Sequence, residues 1–276
     1  MLTRIFLYEA ILYLYALSLL FYFSDFLKRN RSAKRIGAGL LLFVWVLQSV
    51  YMLEGFTRHG FLAAIPMEET VLLFSWLLVG VSLIIDRLFR IELFVFLINV
   101  LGLAALALDM FGGRDAALEI GGWNVSGGLL LIHISLAVGS YAAFAAGAVF
   151  SGMYLYLHRR LKEKTWSSAL MRLPSLEIAE RYAYRSVMIG VPLLISALSL
   201  GTVWVLLQGD VAQLADAKVL ASWLTLAMYL SYLYVMASSR WDGPRRSYWG
   251  IAAFGVMLIS LVVSSLFSNF HQWVWM

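Results

Sequence analysis

The sequence contains no cysteine. A disulfide framework, a thiolate metal site, an iron–sulfur cluster and thioether attachment of haem are therefore excluded within this chain. Charged residues are also scarce, because they make up 13% of the chain whereas soluble domains contain about 25%. Together with an apolar fraction of 62%, this composition excludes a disordered chain, a secreted disulfide scaffold and an ordinary soluble domain.

The sequence also lacks the short motifs of common enzymes. It has no glycine-rich phosphate loop, no HExxH zinc motif and no nucleophile elbow. Its apolar segments contain no paired carboxylates of the kind that many proton-coupled pumps carry. Two polar residues within those segments, Gln48 and Asn99, are expected to be hydrogen-bond partners between helices. Because the enzyme motifs are missing from the sequence, we expect a protein that is not an enzyme.

Long apolar runs are the dominant feature that is present. A helix needs about 20 apolar residues to cross a hydrocarbon core about 30 Å thick. Eight segments meet this requirement, and they predict an all-α polytopic membrane protein that forms a single integral membrane domain over 1–276. The predicted transmembrane helices lie near 2–24, 36–56, 67–85, 91–111, 126–157, 187–207, 219–238 and 248–270.

The basic residues indicate how these spans are oriented. Lys and Arg concentrate on the cytoplasmic side of membrane proteins. All 21 of them fall on one side of the predicted topology except Arg4, Arg58, Arg114 and Lys218. This distribution predicts that both termini lie outside. Because the basic residues concentrate beside the predicted inner leaflet, the net charge of +5 is explained by contact with the membrane surface. Nucleic acid is therefore not expected as a partner.

The longest polar stretch, 158–185, joins the fifth and sixth spans on the predicted inner side. This pattern predicts an amphipathic helix that lies on the anionic inner leaflet. A docking surface for a cytoplasmic partner is the alternative. The apolar residues that recur every three or four positions among the basic ones are Trp166, Leu170, Leu173, Leu176 and Ala179.

Two of the four histidines lie at the same predicted depth in the membrane. His133 is about two turns into the fifth span and His271 closes the eighth, so both are near the outer side. Two neutral imidazoles at one level of a helix bundle can hold the iron of haem b between them. Interfacial solvation or hydrogen bonds between helices would also explain histidines at this depth. His59 and His158 fall in connectors, where a solvated polar residue is the simplest interpretation.

The residues around the two outer histidines suit a flat ligand with anionic edges. Small residues dominate the fifth span after His133 and let a flat group approach closely. Trp204 and Trp273 add apolar surface near the outer rim, although an interfacial aromatic belt would also place tryptophans there. Tyr141 also belongs to the predicted cofactor-binding set. Two outer cations, Arg58 and Lys218, complete the set and would face the haem propionates.

Several segments together resemble the cytochrome c assembly protein family, which includes the CcsA- and CcmC-like haem handlers. The stretch from His133 to Phe144, followed by Tyr154–His158, is similar to the signature helix of that family. Shorter matches follow the family's order over most of the chain. They are Pro66, Glu69, Trp76, Leu173–Glu177, Gly201–Trp204, Trp223, Tyr229, Tyr232–Tyr234 and His271.

Two departures from the haem handlers make the HemX branch of the family the nearest resemblance. The handlers carry a tryptophan-rich segment in the third outer loop, whereas residues 208–218 contain no tryptophan. CcsA-type handlers place a histidine at the end of the next helix, where this chain has Tyr234. The two outer histidines are retained.

The resemblance implies a non-enzymatic, haem-binding protein in the plasma membrane of a Gram-positive bacterium. It further implies that His133 and His271 are the axial ligands of the haem iron, and that the protein lowers the amount of glutamyl-tRNA reductase in tetrapyrrole biosynthesis. That reductase, or another cytoplasmic haem-synthesis protein, is the expected partner at 158–185, besides haem and the lipid bilayer. The alternatives are a haem carrier, exporter or delivery protein for cytochrome c assembly, and a haem-free scaffold.

The predicted orientation can be tested by cysteine labelling, because the chain has no native thiol. Both termini and His59 are expected outside, with His158 inside. A cysteine at Ser239, between the last two predicted spans, is therefore expected to be protected from an impermeant thiol reagent added to intact cells. Labelling of Ser239→Cys in intact cells would show that the predicted topology is wrong.

Overall fold

The computed structural model describes residues 2–28, 30–59, 67–89, 91–111, 125–164, 173–209, 211–238 and 241–267. Within these ranges the chain forms α-helices, with one short 3-10 helix at Val211–Ala215. The predicted all-α class is therefore confirmed for the described residues. The helices are α1 (Leu2–Lys28), α2 (Arg31–His59), α3 (Met67–Phe89), α4 (Glu92–Phe111), α5 (Val125–Lys162), α6 (Leu176–Gln208), α7 (Ala217–Ser238) and α8 (Gly243–Phe267).

Seven of these helices, α1 to α7, are long and apolar enough to cross a membrane. The remaining helix, α8, has 25 residues and is largely apolar beyond Arg246. Large apolar side chains such as Phe6, Tyr13 and Leu20 are exposed on helix surfaces, as expected where a helix contacts lipid. The chain is therefore a multi-pass membrane protein with seven to eight apolar spans, and the placement of both termini outside stays a prediction.

The eight α-helices of the described residues divide into two compact units of four. Unit 1 contains α1 to α4, and each helix packs against the next while α1 also packs against α4. One face of α1 supplies much of its core, because the buried residues Tyr8, Tyr15 and Tyr22 recur every seven positions. The single membrane domain expected for 1–276 stays a prediction.

A buried hydrogen-bond network joins all four helices of unit 1 near the middle of their length. The Tyr15 hydroxyl donates to Asn99 Oδ1 at 2.7 Å, and Asn99 Nδ2 donates to Ser82 Oγ at 2.7 Å. Gln48 Nε2 donates to Ser75 Oγ at 3.0 Å. Because these bonds join α1 to α4, α4 to α3 and α2 to α3, the predicted role of Gln48 and Asn99 between helices is confirmed.

Ion pairs stabilise unit 1 towards both helix ends. At one end, Arg4 donates to Glu69 at 2.8 Å, and its guanidinium lies 4.3 Å from the centre of the Tyr51 ring. At the other end, Lys34 Nζ lies 2.9 Å from Glu92 Oε1 and 3.5 Å from Asp86 Oδ1. Each pair joins two or three helices, so these charges do not lie unpaired in a low-dielectric environment.

Unit 2 contains α5 to α8, which pack in the same cyclic order. Its two longest helices, α5 and α6, run antiparallel and approach closely through small residues. Gly139 lies opposite Leu193, and Gly147 lies opposite the Ala183 carbonyl. A side chain larger than hydrogen at these glycines would meet the facing helix in ordinary or tight contact. The row of small residues noted in the fifth span therefore serves helix packing.

The prediction of one amphipathic helix over 158–185 is wrong for the part of that stretch that the structure describes. α5 continues to Lys162 and α6 already begins at Leu176, where the Ser175 hydroxyl caps the helix by accepting from the Ile178 amide. Residues 165–172 lie outside the described ranges. Charged pairs four residues apart lie at these helix ends, with Arg159 and Glu163 at the end of α5 and Glu177 and Arg181 at the start of α6.

The buried network of unit 1 predicts a measurable cost for removing its central amide. Asn99→Leu removes the acceptor of the Tyr15 hydroxyl and the donor to Ser82 Oγ, so it is expected to lower the free energy of unfolding by about 1–2 kcal/mol. Val100→Leu, at the adjacent exposed position, is the matched control. Equilibrium unfolding in mixed micelles gives both values, and equal stability of the two variants would contradict the prediction.

Candidate functional site

His133 lies two turns into α5 and faces α6. The imidazole is half-buried, and its Nδ1 atom is 2.6 Å from the carbonyl oxygen of Ala197. A carbonyl oxygen can only accept a hydrogen bond, so Nδ1 must carry the proton. The lone pair of Nε2 is then available to bind a metal.

Gly201, on the next turn of α6, allows this close approach. A Cβ atom built on Gly201 would lie 2.7 Å from His133 Cε1 and 2.9 Å from Nδ1. Ala197, Gly201 and Trp204 follow one another at intervals of four and three residues, so they share one face of α6. Trp204 is half-buried and lies on the same helix face as the two residues that contact the histidine.

Lys218, in the first turn of α7, lies close enough to His133 to interact with the imidazole electrostatically. Its side chain is half-buried. The Lys218 backbone amide donates to Asp216 Oδ1 at 2.8 Å, and this hydrogen bond stabilises the start of α7. The structure thus brings together an imidazole and a cation that the sequence analysis assigned to one site.

Tyr141 lies two turns further along α5 and forms part of the wall between helices. Its hydroxyl lies close to the side chain of Ser222 on α7. Ser222 Oγ donates to the backbone carbonyl of Lys218 at 2.8 Å. Tyr141 therefore lies beside the turn of α7 that carries Lys218.

The remaining residues of the predicted site are not placed by the structure. His271 and Trp273 lie outside the described residues. Arg58 belongs to the last turn of α2, in unit 1, and its side chain is also outside the described set. The pairing of His133 with His271, and the contribution of Trp273 and Arg58, stay predictions.

The other candidate positions lie elsewhere. His158 is on α5, where its ring is parallel to that of Tyr154 with centroids 6.1 Å apart. It therefore belongs to a continuous helix and not to a connector as the sequence suggested. Tyr234, at the position where CcsA-type handlers have a histidine, is 65% exposed near the end of α7.

Three contacts of the site were not predicted from the sequence: the Ala197 carbonyl, the close packing of Gly201 and the hydroxyl of Ser222. Gly201 stood out only as part of a short motif. Every residue except proline carries the same backbone groups, so no residue type marks which carbonyl will accept from a distant side chain. The glycine was the one readable signal, because glycine permits another group to approach a helix closely.

The arrangement offers one metal ligand of defined tautomer with a cation beside it. An imidazole that donates through Nδ1 to a carbonyl is oriented, and its other nitrogen becomes a better ligand. A tetrapyrrole supplies four equatorial nitrogens, so its iron needs only one or two axial ligands from the protein. Lys218 can pair with an anionic group such as a carboxylate.

The described residues therefore fit a metal macrocycle with acidic side groups. The orientation of His133 and the space left by Gly201 are the two features that carry this fit.

A family model and several individual proteins are similar to this chain. The family model for cytochrome C assembly protein matches residues 64–271. Protein HemX of Brevibacillus brevis is 41% identical over 267 residues, which cover 97% of each chain. Protein HemX of Bacillus subtilis (strain 168) is 35% identical over 263 residues, or 95% of each chain. Cytochrome c biogenesis protein CcsA of Prochlorococcus marinus (strain MIT 9515) is 25% identical over 166 residues, or 53% of each.

Proposed function

Because the chain belongs to the cytochrome c assembly protein family, we propose that it is a haem-binding membrane protein that regulates haem biosynthesis. It acts without catalysing a reaction, and it lowers the amount of glutamyl-tRNA reductase in the cytoplasm. Its place is the plasma membrane of a Gram-positive bacterium, with both termini on the extracellular side. The likeness to two HemX proteins over nearly their full length supports this branch of the family.

The hydrogen bond from His133 Nδ1 to the Ala197 carbonyl is the observation that carries the proposal. It directs the unprotonated Nε2 away from the carbonyl and prepares it as a ligand. His133 and His271 would together hold the iron of one non-covalently bound haem b. When bound, the haem would supply a redox-active iron centre.

The other residues of the proposed site orient the haem. Lys218 would pair with a propionate, and Trp204 would cover the apolar edge of the haem. Arg58 and Trp273, which the sequence assigned to the same roles, stay predictions. Tyr141 acts from the wall of the site, where its hydroxyl lies close to Ser222. The proximity of Lys218 to His133 supports the assignment of this lysine to a carboxylate of the ligand.

The proposed output lies at the other end of α5. α5 is a single helix from Val125 to Lys162, so it extends from the His133 level to the basic residues at its end. The facing start of α6 carries Glu177 and Arg181 on its exposed surface. The charged extensions of α5 and α6 would present a surface to glutamyl-tRNA reductase or another cytoplasmic haem-synthesis protein.

The second candidate is a haem carrier, exporter or delivery protein for cytochrome c assembly. The similarity to CcsA proteins named for cytochrome c biogenesis supports it, although that similarity covers about half of the chain. A haem site built on His133 would serve either function. The two candidates differ in their output, so the cytoplasmic enzyme level and the yield of mature cytochrome c distinguish them.

The proposed ligation predicts the spectra of histidine variants. His133→Ala and His271→Ala are each expected to lose the low-spin spectrum of reduced bis-histidine haem, because each removes one axial ligand. His59→Ala and His158→Ala are the matched controls and are expected to keep it. Absorption spectra of the purified proteins provide the measurement, and an unchanged low-spin spectrum in His271→Ala would reject the assigned pair.

The proposed output predicts the effect of charge reversal within 158–185. Arg172→Glu combined with Arg181→Glu is expected to leave membrane insertion and haem binding intact and to abolish the lowering of glutamyl-tRNA reductase. Arg245→Glu, at an exposed position in the first turn of α8, is the control for a general loss of inner positive charge. Immunoblots at matched expression measure the reductase, and full suppression in the double variant would refute docking at this surface.

A further inference from the structure

The ring of His133 occupies the space where any larger residue at position 201 would place its first carbon. A Cβ on Gly201 would lie 2.7 Å from Cε1 and 2.9 Å from Nδ1 of the imidazole, both closer than real Cβ contacts. The His133 side chain can rotate about two bonds, whereas the backbone at Gly201 is held in place by helix α6. A methyl group at position 201 would therefore displace the ring and not the backbone.

Displacement of the ring has a chemical consequence as well as a steric one. The hydrogen bond from Nδ1 to the Ala197 carbonyl is short, at 2.6 Å, and the ring can form it only while it lies against α6. Without such a partner, the imidazole of histidine in water favours the opposite tautomer, which has its proton on Nε2. The nitrogen proposed to bind iron would then carry a proton.

We infer that Gly201 is a positioning residue that sets the tautomer and orientation of His133, and this inference rests on the proposed haem function for its biological meaning. Gly201 touches the histidine and acts through it. The Ala197 carbonyl is the acceptor, and the absence of a side chain at position 201 lets the ring reach it.

The tautomer can be measured in the protein without haem. The chain contains only four histidines, so ¹⁵N-histidine labelling of the full chain in micelles gives a simple NMR spectrum, in which His133→Gln assigns the signals of interest. The wild-type signals are expected to show a protonated Nδ1 and an unprotonated Nε2. Gly201→Ala is expected to lose this pattern. Gly152→Ala on α5 is the matched control, because nothing lies within 4 Å of a Cβ at that position.

Haem titration and redox potentiometry of the same proteins test the consequence for the ligand. Gly201→Ala is expected to weaken haem binding by about tenfold or more, as loss of a partner of a metal-binding histidine does. Its reduction potential is expected to rise, because an imidazole that has lost its hydrogen bond to a carbonyl donates less charge to iron. Gly152→Ala is expected to match the wild type in both measurements.

The two sets of data separate the inference from the proposed function. A wild-type His133 with its proton on Nε2, or a Gly201→Ala spectrum identical to that of the wild type, would overturn the inference whether or not haem binds. Failure of the wild type to bind haem would overturn the proposed function and leave the tautomer measurement to decide the role of Gly201. Because the wild-type tautomer needs no variant, a Gly201→Ala protein that does not fold leaves that test in place.

Discussion

The hydrocarbon core of a membrane offers no hydrogen-bond partner, and every polar group within it must therefore find one inside the protein. Helices satisfy the backbone in this way. The side chains follow the same rule, since Asn99 contacts Tyr15 and Ser82, and His133 donates to the Ala197 carbonyl. The same constraint that orders the core of unit 1 thus also orients the imidazole in unit 2.

Both units pair polar side chains between helices. In unit 1 the polar side chains pair with one another, as Arg4 does with Glu69 and Lys34 does with Glu92, and these pairs hold helices together. Unit 2 has such pairs as well, since Arg246 lies 3.0 Å from Glu180 and Trp249 donates to Ser231 at 3.0 Å. His133 differs from these residues because its hydrogen bond to the Ala197 carbonyl engages only one ring nitrogen and leaves the other unprotonated.

The sequence predicted those features that depend on composition along a single segment. Long apolar runs identified the helices, and the depth of His133 in α5 followed from counting turns. The stretch 158–185 was interpreted incorrectly because its period of three to four residues suits any helix with one buried face. Ala179, taken for part of a membrane-facing stripe, is buried in the protein. Periodicity reveals that a face is buried but not which surface covers it.

Apolar length and charge distribution by themselves determined the helical membrane class and the predicted orientation, and short motifs in their order along the chain carried the family resemblance. These properties are sums over neighbouring residues, so a linear chain displays them. Only the tertiary structure decided that the helices form two units and that the His133 ring lies against Gly201. The hydrogen bond of His133 joins residues 64 positions apart. Its acceptor is a backbone carbonyl that no residue type marks, so helix packing alone could select it.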